Sequence, residues 1–126
     1  MIEGQILSSG THRDRVEAHV AQVGSDLNVT IGGGDLYHIG AVAIAEPGIL
    51  YEGITKMSAH TSVICLRGHK EGQWAYQAAE HLASILDKTV VVTMGIHIDK
   101  IKKEEFNILQ KNVDNLLAQI IKLYKV

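Results

Sequence analysis

The sequence predicts an α+β domain with an antiparallel or mixed β-sheet and two main helices, of which the last is long and C-terminal. Two observations predict this class: apolar and polar residues alternate along the first half of the chain, and helical spacing replaces that alternation after Lys70. A third is the size. A chain of 126 residues, 46% of them hydrophobic, buries one core without disulfides, so residues 1–126 are expected to form a single domain.

The first half of the chain carries the strand patterns. Residues 27–31 alternate apolar and polar side chains with period two, and residues 16–20 do so more weakly. The Gly-Ser-Asp sequence at 24–26 predicts a hairpin turn between them. Residues 41–45 and 62–66 are continuous apolar runs, typical of strands covered on both faces or of buried helix segments. Their short length and flanking glycines favour strands.

Two helices and a further strand follow. Residues 70–86 place apolar side chains at helical spacing, and residues 89–93 form a β-branched strand. Residues 104–124 give the clearest pattern, one apolar stripe at i, i+3 and i+7 spacing. The stripe consists of Phe106, Leu109, Val113, Leu116, Leu117, Ile120 and Tyr124. We expect this last helix to pack against the core.

Composition excludes several classes of protein. With 12 Lys and Arg against 14 Asp and Glu, the formal charge of -2 does not attract nucleic acid. No apolar run is long enough to span a membrane, and the N-terminus does not resemble a secretory signal. Cys65 is the only cysteine, which excludes an internal disulfide. We therefore expect a cytoplasmic protein in which this thiol is buried and inert.

Three segments that combine glycine with histidine carry the candidate chemistry: GGGDLYHIG at 32–40, RGHK at 67–70 and GIHID at 95–99. Glycine lets the backbone approach a ligand closely, and histidine donates, accepts or carries a proton near neutral pH. Each segment lies at the predicted start or end of an element. A pocket in which all three meet is therefore one hypothesis for the functional site.

Each segment also has alternative interpretations. Residues 32–35 are typical of an anion-binding nest or of a tight hairpin that needs positive φ. Residues 67–70 lie at a strand-to-helix junction and fit a phosphate or carboxylate site, or a solvated basic turn. Asp99 would orient His97, bind a metal together with it, or cap the helix that follows.

In order and content these segments resemble the LpdD-like prenylated-flavin chaperone domain family, small accessory proteins of UbiD-type hydroxyarylic acid decarboxylases such as gallate decarboxylase. The resemblance is carried by NVTIGGGDLYHIGAVAIAEP (28–47), RGHKEGQWAYQAAEHLA (67–83) and VVVTMGIHIDKI (90–101). It implies a non-catalytic protein that binds prenylated FMN and delivers it to, or helps mature, a partner decarboxylase. It also implies a fold similar to that of proteasome-assembly chaperones, and a homo-oligomer, most simply a dimer.

The residues and the resemblance together give one hypothetical flavin site. Arg67, Lys70 and the glycine amides would hold the phosphate, the histidines would bond the ring edge or the ribityl hydroxyls, and Tyr37 or Trp74 would stack on the ring. The predicted cofactor-binding residues are Gly33, Gly34, Asp35, Tyr37, His38, Gly40, Arg67, Gly68, His69, Lys70, Gly95, His97 and Asp99. No catalytic and no metal-binding residue is predicted.

Two other classes of function stay open. An assembly chaperone that binds no flavin would use an exposed apolar patch, for which residues 49–51 and the last helix are candidates. A small enzyme would use histidine acid–base chemistry, or a metal bound by His38, His69, His97 and Asp99. The sequence contains no signature of covalent catalysis.

Overall fold

The computed structural model describes residues 1–48, 59–67 and 71–125. The strands of this part of the chain are β1 (Ile2–Ser9), β2 (Val16–Val23), β3 (Asp26–Gly34), β4 (Leu36–Pro47), β5 (Ala59–Cys65) and β6 (Val90–His97). The helices are α1 (Gly72–Leu86) and α2 (Lys103–Tyr124), and a short 3-10 turn (His12–Asp14) precedes β2. The predicted α+β class, with a long C-terminal helix, is confirmed.

The six described strands form one mixed sheet in the order β1-β2-β3-β6-β4-β5. β6 is parallel to β3, and the other neighbouring pairs are antiparallel. The hairpin turn predicted at 24–26 joins β2 to β3, with Gly24 at φ 60°. The hairpin expected at 32–35 is wrong, because β6 lies between β3 and β4. The chain instead crosses the end of β6 there, with Gly34 at φ 80°.

Both helices pack on one face of the sheet. β2 and β3 alternate buried and exposed side chains, as their period-two pattern predicts, and place Val16, Val20 and Ile31 in the core. Alanines dominate the contact between α1 and β4. The alanines that are buried there are Ala75, Ala78, Ala79 and Ala83 of α1 and Ala41, Ala43 and Ala45 of β4. Because their side chains are small, the helix lies close to the strand.

Helix α2 buries most of the predicted stripe. Its buried residues are Leu109, Val113, Leu116, Leu117 and Ile120. Phe106 departs from the prediction, since it is 47% exposed. The expected cap is also wrong: the N-cap residue is Lys102, and Asp99 lies three residues earlier in the chain. Among the described residues, no helix is long and apolar enough to cross a membrane.

The other face of the sheet has no helix on it among the described residues. Val42 and Ile44 of β4 are partly exposed there, and Ile64 of β5 is 71% exposed. The strands predicted around residues 41–45 and 62–66 are confirmed, but within the described part of a single chain the expected cover on both faces is wrong. Cys65 is exposed, so the expected buried thiol is wrong as well. Strand β1 lies at the sheet edge and is absent from the strands predicted above.

Candidate functional site

The candidate site lies at the end of β6, where two of the three glycine–histidine segments meet. β4 changes register between Tyr37 and Ala41 where it runs beside β6. In this irregular stretch the backbone of His38 passes directly over Gly95. A Cβ at position 95 would lie 1.6 Å from the His38 carbonyl oxygen, so only glycine permits this crossing.

A second close approach joins the crossing from β3 to β4 with the residues that follow β6. The Asp35 backbone N–H donates to the His97 carbonyl oxygen at 2.7 Å. The Asp35 carboxylate accepts from the Asp99 backbone N–H and from the Arg13 guanidinium, each at 3.0 Å. Arg13 also donates to the Asp99 carbonyl oxygen at 2.8 Å. These bonds fix the segment that carries His97, and Arg13 is a member of the site that the sequence analysis missed.

Two histidine–carboxylate pairs face each other at this point. His38 Nε2 lies 2.9 Å from Glu71 Oε1, and His97 Nε2 lies 2.8 Å from Asp99 Oδ1. The two imidazole rings are 6.4 Å apart between centroids and meet edge to face at 77°. In each pair the Nε2–H donates to the carboxylate, which fixes the orientation of the ring. This direct hydrogen bond supports the hypothesis that Asp99 orients His97.

Glu71 is the second residue that the sequence analysis missed. It is only 7% exposed, and its carboxylate lies within hydrogen-bond distance of His38. A buried carboxylate is stable only when it is paired, so this contact explains its position. Gly40 provides the room, because a Cβ at position 40 would lie 2.5 Å from Glu71 Oε2. The sequence feature that could have identified Glu71 is an acidic residue directly after the RGHK segment and directly before α1.

Tyr37 lies on the opposite face of the sheet from Glu71. Its ring packs over Gly32, whose neighbours Ile31 and Gly33 face the helices. Burial raises the pKa of Tyr37, and a hydrogen bond to Glu17 and the negative charge of that residue raise it further. Of the two predicted stacking residues, Tyr37 therefore lies across the sheet from the Glu71–His38 pair.

The glycines of the first segment lie inside the sheet. Gly32 and Gly33 belong to β3 and have neighbours on both sides, in β2 and in β6. The amides of a strand that is paired on both sides form the sheet ladder. The anion nest expected at 32–35 is therefore wrong for these two glycines.

Of the RGHK segment, the structure describes only Arg67. Gly68, His69 and Lys70 lie outside the described residues, as does the apolar patch predicted at 49–51. Arg67 is exposed and follows Leu66, whose backbone N–H donates to the Gly40 carbonyl oxygen at 2.8 Å. Glu71, which follows the segment in the sequence, is hydrogen-bonded to His38. Leu66 and Glu71, the two residues that flank the RGHK segment, are thus both hydrogen-bonded to residues 38–40.

A cavity of about 530 Å³ opens beside the histidine pairs, between the start of α1, the end of β6 and the start of α2. His97 and Glu71 line it together with Trp74 and Phe106. The two aromatic rings stack in parallel, with centroids 5.5 Å apart and planes 4° apart. In the part of the chain that the structure describes, no group of three or more His, Cys, Asp or Glu side chains is placed to hold a metal ion.

Three comparisons relate this geometry to known proteins. The family model described as the prenylated flavin chaperone LpdD-like domain matches residues 10–125. Protein LpdD of Lactiplantibacillus plantarum is 27% identical over 107 residues, which are 85% of this chain and 75% of that protein. The crystal structure of a chaperone complex for yeast 20S proteasome assembly contains a chain that aligns with a TM-score of 0.54 at 13% identity, over 97% of this chain and 94% of that one. The last similarity concerns the fold, and it confirms the expected likeness to proteasome-assembly chaperones.

Proposed function

Since the chain belongs to the LpdD-like family of prenylated-flavin chaperones, we propose that it is a non-catalytic accessory protein that binds prenylated FMN and delivers it to, or helps mature, a UbiD-type aromatic acid decarboxylase. The observation that carries the proposal is the meeting of residues 38–40 and 95–99 beside an aromatic cavity. Small-molecule sites are mostly apolar and contain a few oriented polar groups. The two histidine–carboxylate pairs are such groups.

The cavity fits a flavin in size and in lining. Its volume of about 530 Å³ falls within the roughly 300–1,000 Å³ of typical ligand pockets. The stacked Trp74 and Phe106 offer flat apolar surface, and the imidazole of His97 offers a hydrogen-bonding edge. Prenylated FMN carries the decarboxylation chemistry in the partner enzyme, and the residues of this chain bind and orient it.

The proposed roles follow the chemistry of each side chain. Arg67 and Lys70 hold the phosphate, because charge-assisted hydrogen bonds to phosphate are strong. His38, His69 and His97 bond the ring edge or the ribityl hydroxyls. We assign a positioning role to the other predicted residues apart from Tyr37, which are Gly33, Gly34, Asp35, Gly40, Gly68, Gly95 and Asp99.

We propose a second copy of this chain as a further partner, seated on the open face of the sheet. The register places Ile6, His19, Thr30, Thr93, Val42 and Ile64 in one row across all six strands. Neither this row nor its neighbour, which runs through Gly4, Ala21, Asn28, Val91, Ile44 and Ser62, contains an Asp, Glu, Lys or Arg. Depletion of charge is typical of the centre of an interface.

The dimensions of the open face agree with a dimer. Six strands at a spacing of about 4.8 Å, each with about seven residues at about 3.3 Å, make a face of about 650 Å². A standard interface takes about 800 Å² from each partner. We place the dimer in the cytoplasm with its decarboxylase, as the single cysteine favours.

The same open face favours a second candidate function, that of an assembly chaperone that binds no flavin. Val42, Ile44 and Ile64 form an exposed apolar surface that a partner enzyme would cover. This candidate predicts a stable complex with the apo-decarboxylase and no affinity for either flavin. The two functions are therefore separated by a binding measurement.

The test is an anaerobic calorimetric titration of the purified protein with prenylated FMN, with FMN as the control ligand. We expect saturable binding at one site per chain, with preference for the prenylated form. His38→Ala and His97→Ala should each weaken that binding. His81→Ala is the matched control, because His81 is exposed on α1 and does not line the cavity. If His38→Ala and His97→Ala bind prenylated FMN as tightly as the wild-type protein does, the named site is wrong. Absence of binding by the folded wild-type protein would favour the assembly chaperone.

A further inference from the structure

The cavity beside the histidine pairs has two kinds of wall. The apolar wall consists of Trp74, Ile96, Ile98, Ile101, Phe106 and Leu109. The polar wall consists of the amides of Gln73, Gln77 and Gln110 with the side chains of Glu71 and His97. Among the described residues that line the cavity there is no Lys and no Arg. Of the lining residues that the structure describes, Glu71 alone is acidic, and negative charge on its carboxylate would oppose binding of an anion.

The aromatic pair in this cavity is already in place. Trp74 Nε1–H donates to Gln110 Oε1 at 2.5 Å, and the Gln110 amide donates to Asp114 at 3.1 Å. The rings of Trp74 and Phe106 are in direct contact, so no third ring enters between them. Phe106 lines the cavity and is 47% exposed. A planar ligand would extend this stack on the exposed side, without rearrangement of the side chains that hold it.

We propose that this cavity is the ring subsite of the flavin ligand. It takes the neutral planar ring system with its apolar prenyl extension, and the phosphate stays outside, on the side of Arg67. A phosphate is bound most strongly by cations, which the described lining does not offer. Arg67 is a cation near the site, because it follows Leu66, whose backbone N–H donates to the Gly40 carbonyl oxygen. This inference rests on the proposed function, and it adds the orientation of the ligand, with the ring system in the cavity and the phosphate towards Arg67.

Trp74 provides the measurement, because it is the only tryptophan in the chain. The full-length protein is titrated anaerobically with prenylated FMN and with prenylated riboflavin, which lacks the phosphate, and tryptophan emission is followed beside the calorimetric signal. We expect both ligands to quench Trp74 to the same end point at saturation. Loss of the phosphate should weaken binding by about tenfold or more, and Arg67→Ala should weaken binding of the phosphorylated ligand only.

A matched pair of variants on α2 tests the lining. Phe106→Ala should weaken binding of both ligands by about twofold to tenfold, as the loss of one aromatic stacking contact predicts. Phe106→Tyr should restore the affinity, since it keeps the ring. Ile108→Ala is the control, because Ile108 is 46% exposed on the same helix and does not line the cavity. It should leave both affinities unchanged.

The outcomes separate this inference from the proposed function. Heat of binding without quenching of Trp74, together with an unchanged affinity in Phe106→Ala, would overturn the ring subsite and leave the proposed function standing. Quenching by prenylated riboflavin with no binding of prenylated FMN would support the subsite and overturn the proposed cofactor. Absence of binding of either ligand to the folded protein would overturn both.

Discussion

Gly95→Ala is the substitution that tests the site geometry most directly. The alanine Cβ would lie 1.6 Å from the His38 carbonyl oxygen and 2.4 Å from its carbonyl carbon. Real Cβ atoms keep at least 3.0 Å from such atoms, so the His38 backbone must move by about 1.4 Å to relieve the overlap. That backbone lies in the irregular stretch of β4 between Tyr37 and Ala41, and both of these flanking residues are paired with β6. The strand cannot yield as a flexible side chain would.

The expected cost follows from this geometry. Overpacking typically destabilises a protein by about 1–3 kcal/mol, and we expect the upper end, about 3 kcal/mol, because backbone must move. For a domain of this size each kcal/mol lowers Tm by about 3–5 °C, so the expected decrease is about 10–15 °C. The displaced His38 would also lose its 2.9 Å contact with Glu71. Binding of prenylated FMN should therefore weaken in the folded variant.

Urea and thermal unfolding, followed by circular dichroism, measure the effect. Gly24→Asn is the matched control. Gly24 occupies a turn at φ 60° with no atom within 4 Å of a Cβ, and asparagine tolerates this backbone conformation, so the change should be within about 0.5 kcal/mol. A Gly95→Ala protein as stable as the wild type would refute the reasoning, because it would mean that β4 relaxes away from β6 at little cost.

Three further predictions use other contacts. Glu71→Gln removes the buried charge that pairs with His38 and should lower the free energy of unfolding by about 1–3 kcal/mol in urea titration at neutral pH; unchanged stability would mean that the pair contributes nothing. Glu17→Gln should lower the pKa of Tyr37, which burial and Glu17 raise above 10.0, as measured by ultraviolet difference titration against Tyr37→Phe. Because this pKa is raised, the stability linked to it is complete below pH 10.0 and is lost as pH rises through the pKa of Tyr37. Ile64→Asp should convert the proposed dimer to a monomer in sedimentation velocity, whereas Ile64→Thr should not, since only the charge opposes burial.

The sequence predicted those elements that bury one clear face. α2 and β3 each alternate core and solvent side chains with their own period, so the hydrophobic pattern determines both type and position. β1 escaped prediction because it lies at the sheet edge, where most of its side chains are exposed and no periodic pattern is required. The central position of β6 escaped too. Strand order depends on pairing between distant residues, which a local pattern does not record.

The apolar run at 41–45 fits a strand that is buried on both faces within one chain, and it also fits a strand whose second face is covered by another chain. A continuous run predicts burial on both faces, yet Val42 and Ile44 point to the open face while the alanines of the same strand pack under α1. The run is therefore explained only if something covers the open face. The proposed second copy of the chain would provide that cover, and it would reconcile the strand's composition with its exposure in a single chain.

Some residues of the candidate site could be identified from the sequence, whereas others come to the site only through the fold. The glycine–histidine segments were visible because unusual residue types cluster in them, but Glu71 and Arg13 are ordinary charged residues whose partners lie far away in the chain. Clustered glycines predict backbone amides that contact a ligand. In the structure Gly95 admits the His38 backbone, and Gly40 admits the Glu71 carboxylate. These glycines therefore act through the histidine: they bring it to its carboxylate, and a ligand would meet the imidazole rather than the glycine backbone.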